Sequence, residues 1–133
     1  MRTFSGFTWE WIVETALGIC DSLQQQQEPA SLPEGTRRFL ERAQGLIEIV
    51  PKLRQHPQVG QWVPKMYLLT LSWFPAPGYE IALACEEKSV SYRINILKND
   101  VATGRVEVME QKIVAFDEVA DEVYAYITRF NDE

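Results

Sequence analysis

One histidine, His56, and two widely separated cysteines, Cys20 and Cys85, are the only such side chains in 133 residues. Recurring zinc sites draw four ligands from His and Cys at short fixed spacings, and neither cysteine belongs to a CxxC pair, so no metal site is expected. A Ser or Cys nucleophile needs a base within hydrogen-bond reach and a third group to orient that base. A Cys85–His56 dyad is the arrangement left to consider, and His56, placed in a loop directly before Pro57, reads as a solvated residue. The seven glycines are scattered singly, with no GxGxxG or GxxxxGK[ST] run to cradle a phosphate. No catalytic residue, cofactor or metal is therefore assigned. Asp117, Glu118, Asp121 and Glu122 have the spacing to hold Mg²⁺ or Ca²⁺ from one helix face, but such an acidic run is read here as facing water.

Two further absences concern partners. Glu10 and Glu14 interrupt the apolar residues near the N-terminus, so the chain has neither a signal-peptide core nor a run of about 18 apolar residues. No membrane association is expected, and two unpaired cysteines suit a cytoplasmic protein. Nor is there a basic stripe of the kind that displaces phosphate counterions, Arg37, Arg38 and Arg42 being the one local cluster, so no nucleic acid is expected. The net charge is −6. Residues 1–65 hold seven basic and seven acidic side chains, whereas residues 66–133 hold six basic and twelve acidic, so the excess lies wholly in the second half.

What is present is an ordinary globular composition, 46 % apolar and 24 % charged, in a length that suits one core. Trp9, Ile12, Val13, Ala16, Ile19, Cys20 and Leu23 recur at three and four residues, predicting a helix from about Thr8, its cap, to Gln26. Ser31 and Glu34 form a capping-box pattern with Pro33 in the first turn. A second helix follows with a stripe of Phe39, Leu40, Ala43, Ile47 and Val50, and Pro51 should kink or end it.

The period then changes to two. Met66–Trp73, Tyr79–Cys85 and Val90–Ile96 read as three strands joined by short turns, and Arg105–Ala115 as a fourth, with a bulge where its alternation shifts phase near Met109 and Glu110. Asp117 is placed to cap a last helix with a stripe of Val119, Ala120, Val123, Tyr124, Ile127 and Phe130. The expected architecture is α+β: two N-terminal helices, a four-stranded antiparallel meander and a C-terminal helix. It divides into a helical part (1–55), a connector (56–65), a sheet (66–116) and an acidic helix (117–133) within one domain.

One face of that meander is short-chained, with Thr70, Ser72, Ala82, Ala84, Ser91, Arg93, Asn95 and Glu107. Left uncovered, it would be a shallow surface ringed by Glu80, Arg93 and Glu107. The aromatic residues Phe4, Phe7, Trp9 and Trp11 crowd the N-terminus. Trp9 and Trp11 lie about 200° apart on a helix, so one of them is spare for another chain, as is Phe74 beside the Pro75–Gly78 turn.

These features favour a non-enzymatic protein-binding domain, acting as an inhibitor, neutralising protein, assembly factor or adaptor, with a basic protein as partner. The residues expected to contact it are Trp11, Phe74, Arg93, Glu107, Asp121 and Glu122. A second reading is a small enzyme or ligand-binding domain with its site between sheet and helices, using Tyr92, Arg93, Glu107 and Cys85. A third is a self-associating homodimer built on an exposed strand at the end of the Met66 or Arg105 run, or on the short-chained face.

Overall fold

The Thr8 hydroxyl accepts the Trp11 N–H at 3.0 Å, satisfying one of the orphan donors that open a helix. This cap starts α1 (Trp9–Gln26) in the computed structural model, which describes residues 8–26, 33–100 and 102–131. Trp9, Ile12, Ala16 and Cys20 form its buried stripe, as the spacing predicts. Ser31 of the expected capping box lies outside the described residues, as do Phe4 and Phe7. Pro33 stands at the N-cap of α2 (Glu34–Gln55), not within its first turn.

Pro51 does not end α2, which runs on to Gln55. A proline inside a helix costs about 3 kcal/mol. Here Ile49 and Val50 bury just before it and Leu53, fully buried, just after it, so the same core contact holds the helix on both sides. Each such side chain is worth roughly 1.5–3 kcal/mol on burial, enough to offset the lost main-chain bond.

The sheet has five strands where the sequence predicts four: β1 (Lys65–Tyr67), β2 (Thr70–Trp73), β3 (Tyr79–Glu87), β4 (Ser91–Asp100) and β5 (Arg105–Ala115). They lie in chain order, every neighbour antiparallel. The fifth strand comes from splitting Met66–Trp73. Tyr67 pairs with Thr70, and the two residues between them, Leu68 and Leu69, have φ of 50° and 63°. Two consecutive positive φ values are what a two-residue type I′ hairpin requires, normally supplied by Asn-Gly. Two leucines carry no such signal, so alternation alone read the hairpin as one strand.

The bulge falls where the phase shift predicts it. Ile96 pairs with Glu110 and Leu97 with Val108, leaving Met109 as the extra residue. One face of the sheet supplies the core: Leu71, Trp73, Ile81, Leu83, Cys85, Tyr92, Ile94, Ile96 and Val114 pack against Leu46, Ile49, Val50 and Leu53 of α2 and Val119, Val123 and Ile127 of α3 (Val119–Asn131). The molecule thus has two layers, helices on one side of a twisted meander. Asp117 does not cap α3. A single 3₁₀ turn, Phe116–Glu118, precedes that helix, and the Asp117 carboxylate instead meets Lys52 Nζ at 2.7 Å, with the ammonium also 4.9 Å from the centre of the Phe116 ring.

The connector between α2 and β1 is pinned from two sides. Trp9 Nε1 donates to Gly60 O at 3.0 Å and Trp73 Nε1 to Trp62 O at 2.7 Å, while Val59 and Val63 are buried. His56 is not the solvated residue its loop position suggests. Its Nδ1 accepts the main-chain N–H of Gln58 and of Val59, both at 3.1 Å. Its Nε2 lies 3.4 Å from Asp121 Oδ1, and its ring is 5.2 Å from that of Tyr124. No helix among the described residues is long and apolar enough to cross a membrane.

Candidate functional site

Side chains alternate across a sheet, so the residues between the core positions point the other way. On β2, β3 and β4 these are Thr70 and Ser72, then Glu80, Ala82 and Ala84, then Ser91, Arg93, Asn95 and Leu97. On the margins they are Lys65 and Tyr67 of β1 and Val106, Val108, Gln111 and Ile113 of β5. None of these residues belongs to the core that the helices cover. Small side chains form the floor and larger ones the rims, which makes a shallow trough.

The rims are apolar. Tyr67 is 77 % exposed at one side, and Val106, Val108 and Ile113 are 59, 58 and 52 % exposed at the other. Leu68, at the tip of the β1–β2 hairpin beside Tyr67, is 70 % exposed. On the floor Ser72 donates to Glu80 Oε2 at 2.8 Å, and Arg93 is paired with Glu86. Two buried atoms there, Asn95 Oδ1 and Arg93 Nε, make no hydrogen bond. A buried polar group without a partner costs roughly 1–3 kcal/mol, so these two atoms are a local cost within the sheet.

The six residues singled out from sequence do not converge on this trough. Arg93 lies on its floor, but Glu107 faces the opposite side, because it pairs with Lys98 rather than extending the row of Asn95 and Leu97. The Met109 bulge is the physical reason: one extra residue moves every side chain before it to the other face. The same shift brings Val106 and Val108 onto the open face, where simple alternation does not place them. Trp11 is 39 % exposed on α1, and Phe74 is 37 % exposed after β2, with Lys65 Nζ 5.4 Å from its ring centre. Asp121 and Glu122 sit on α3 in the helical layer, Asp121 beside His56 and Glu122 paired with Lys112 at 3.0 Å.

A cleft of about 180 Å³ opens between α2 and the β3–β4 turn, where the alternative reading puts a site between helices and sheet. Arg38, Arg42, Lys88 and Arg93 line it together with Glu41, Glu86 and Glu87, so its charges largely compensate one another. It is smaller than the roughly 300–1,000 Å³ usual for small-molecule sites. Cys85 reaches its inner edge, but burial, reinforced by the nearby Glu48 and Glu41 carboxylates, pushes that thiol up to about 11, away from the thiolate a nucleophile needs. Tyr92 is held protonated more strongly still, again chiefly by burial. The ring nitrogens of His56 face its own loop and α3, giving a Cys85–His56 dyad no support. Among the described residues no three His, Cys, Asp or Glu side chains are grouped to hold a metal ion.

Compared with protein-family models, with curated proteins and with solved structures, the chain matches none.

Proposed function

We propose that this chain is a non-enzymatic protein-binding domain of the cytoplasm that seats a basic protein partner on the open face of its sheet. The observation that carries this reading is the trough itself, which no helix covers among the described residues, with its small-residue floor and its exposed apolar rims at Tyr67 and at Val106, Val108 and Ile113. Exposed apolar side chains gathered on one face are a usual mark of an interaction site. Aromatic and arginine side chains near its centre are the usual energetic anchors.

The charge of the chain supports a basic partner. An excess of six acids over residues 66–133 attracts a basic molecule over distances that salt shortens, raising the association rate more than the final affinity. An inhibitor, a neutralising protein, an assembly factor and an adaptor all use such a surface. The site between helices and sheet is the weaker reading, since the cleft beside the β3–β4 turn is small and charge-compensated.

The test is affinity capture from native lysate with the tagged full chain at low and at high salt, run beside Tyr67→Ala and Arg93→Ala variants. A single stoichiometric basic protein, retained at low salt, lost at high salt and reduced about tenfold by either substitution (~1.4 kcal/mol), is the expected result. A partner whose capture ignores both substitutions moves the interface elsewhere. No partner at either salt removes the reading.

A further inference from the structure

The two margins of the sheet differ in a way that bears on self-association. β1 is three residues long, directly follows Pro64 and carries the exposed Lys65, all features that blunt an edge against pairing. β5 is eleven residues long, contains no proline, has β4 as its one neighbour and exposes every residue except Val114. Its outer row of main-chain N–H and C=O groups has no strand to pair with among the described residues.

We propose that β5 pairs antiparallel with β5 of a second copy of this chain about a two-fold axis at Gln111, joining two five-stranded meanders into one continuous ten-stranded sheet. The inference is independent of the partner reading above, which concerns the face of the sheet and not its edge.

Charge selects the register. In an antiparallel two-fold pair the axis passes between like residues, and directly opposed side chains share a face. An axis at Glu110 would set two carboxylates against each other, and one at Lys112 two ammonium groups. An axis at Ile113 would leave Lys112 opposite Val114. At Gln111 the amide faces its own copy, Glu110 falls opposite Lys112 of the second copy, and Lys112 opposite Glu110 of the second copy.

Ile113 then falls opposite the bulge residue Met109 of the second copy, bringing together two exposed apolar side chains of the strand, 52 and 46 % exposed. Opposite-charge and apolar pairs directly across two strands are the unit of sheet stabilisation. The charged pairs also have support behind them. Glu110 already meets Arg129 Nη1 at 3.0 Å and Lys112 meets Glu122 Oε1 at 3.0 Å, so each crossing would complete an alternating row Arg129, Glu110, Lys112, Glu122 across the two copies.

The experiment is sedimentation equilibrium of the full chain together with Gln111→Lys and Gln111→Cys variants. The unmodified chain should sediment at twice its chain mass. Gln111→Lys, which sets two ammonium groups across the axis while leaving an exposed position of the monomer unburdened, should sediment as a monomer with unchanged circular dichroism and with a melting temperature that no longer rises with protein concentration.

Mild oxidation of Gln111→Cys should give a disulfide-linked dimer, because opposed residues of an antiparallel pair lie about 4.5–5.5 Å apart at Cα, within disulfide reach. Val106→Cys, remote from the axis, should not cross-link to itself; the native Cys20 and Cys85 are buried and do not compete. A monomeric unmodified chain overturns the proposal. So does a dimer that survives Gln111→Lys and fails to cross-link through Gln111→Cys. Neither result touches the partner reading, which Tyr67→Ala and Arg93→Ala test.

Discussion

The Tyr92 hydroxyl on β4 donates to the main-chain oxygen of Gly45 on α2, across 47 residues of sequence. The helix can come this close because residue 45 has no side chain: a methyl group there would overlap the Cys85 sulfur and crowd its Cβ. Gly45, Cys85 and Tyr92 together set the distance between the helical layer and the sheet.

Gly45→Ala should therefore lower stability by about 1–3 kcal/mol, the usual cost of overfilling a packed core. Thermal unfolding would show the loss. Combining it with Cys85→Ala removes the sulfur that the new methyl strikes, so the double variant should lose less than the two single losses added together. Additive losses would mean that the close approach is set by something other than these two residues.

Tyr92→Phe leaves the ring in place and removes one buried hydrogen bond. The Gly45 oxygen can keep a bond within its own helix, so the loss should sit near 1 kcal/mol, read from the urea midpoint at unchanged slope.

Alkali should destabilise the fold through the same cluster. Burial raises the Cys85 thiol from 9.0 to about 11, and an acid whose folded pKa is raised binds its proton more tightly in the folded state. Its contribution to stability is complete below pH 9.0 and is lost as pH climbs through about 11. Tyr92, raised in the same direction and also by burial, extends the loss to higher pH. Melting temperatures measured from pH 7 to 11 should fall beyond pH 9, and Cys85→Ala should shallow the first part of that fall.

The β1–β2 turn separates backbone strain from burial in adjacent residues. A left-handed conformation costs a non-glycine residue about 1–2 kcal/mol. Leu68 bears that cost while 70 % exposed, so Leu68→Gly should stabilise by a few tenths to about 1 kcal/mol. Leu69 bears it while 2 % exposed in the core, so Leu69→Gly should destabilise by about 2–4 kcal/mol. Opposite signs from the same substitution at neighbouring positions, measured by chemical denaturation, are the expected outcome.

Trp11 and Phe74, both partly exposed, separate anchoring from packing in a different way. Trp11 lies on α1, away from the proposed trough, so Trp11→Ala should leave capture unchanged; a loss of more than about 1 kcal/mol with the melting temperature almost unchanged would move the interface to the helices, and the same loss in Phe74→Ala would extend it past the end of β2. Loss of the fold in either variant would assign that residue to the core instead.

Most elements were legible because their signals are local. The Thr8 cap, the stripe of α1, the alternation of β3 and β4 and the phase slip at Met109 each depend on residues a few positions apart, and each is realised. The Leu68–Leu69 hairpin was not legible, since its conformation is imposed by pairing of Tyr67 with Thr70 and by burial of Leu69, against the preference of both turn residues. Pro51 misleads for a related reason: the local rule says stop, and the core on either side of it carries the helix through. Of the candidate surface, the short-chained floor could be read in advance. Its rims could not, because a bulge predicted only as a place still had to be counted in register before Glu107 could be assigned to one face and Val106 and Val108 to the other.

By itself the sequence determined the class of fold, the order of its elements and the excess of acid in its second half, all of which follow from periodicity, composition and caps. Only the tertiary structure decided that α1, α2 and α3 lie on one side of the sheet and that, among the described residues, nothing covers the small-residue face. It also decided that β5 ends the sheet with no outer strand among the described residues and that His56 is spent on its own loop and α3. These are outcomes of long-range packing: which face is covered depends on where α2 and α3 bury their stripes, and no residue records locally what lies against it from fifty positions away.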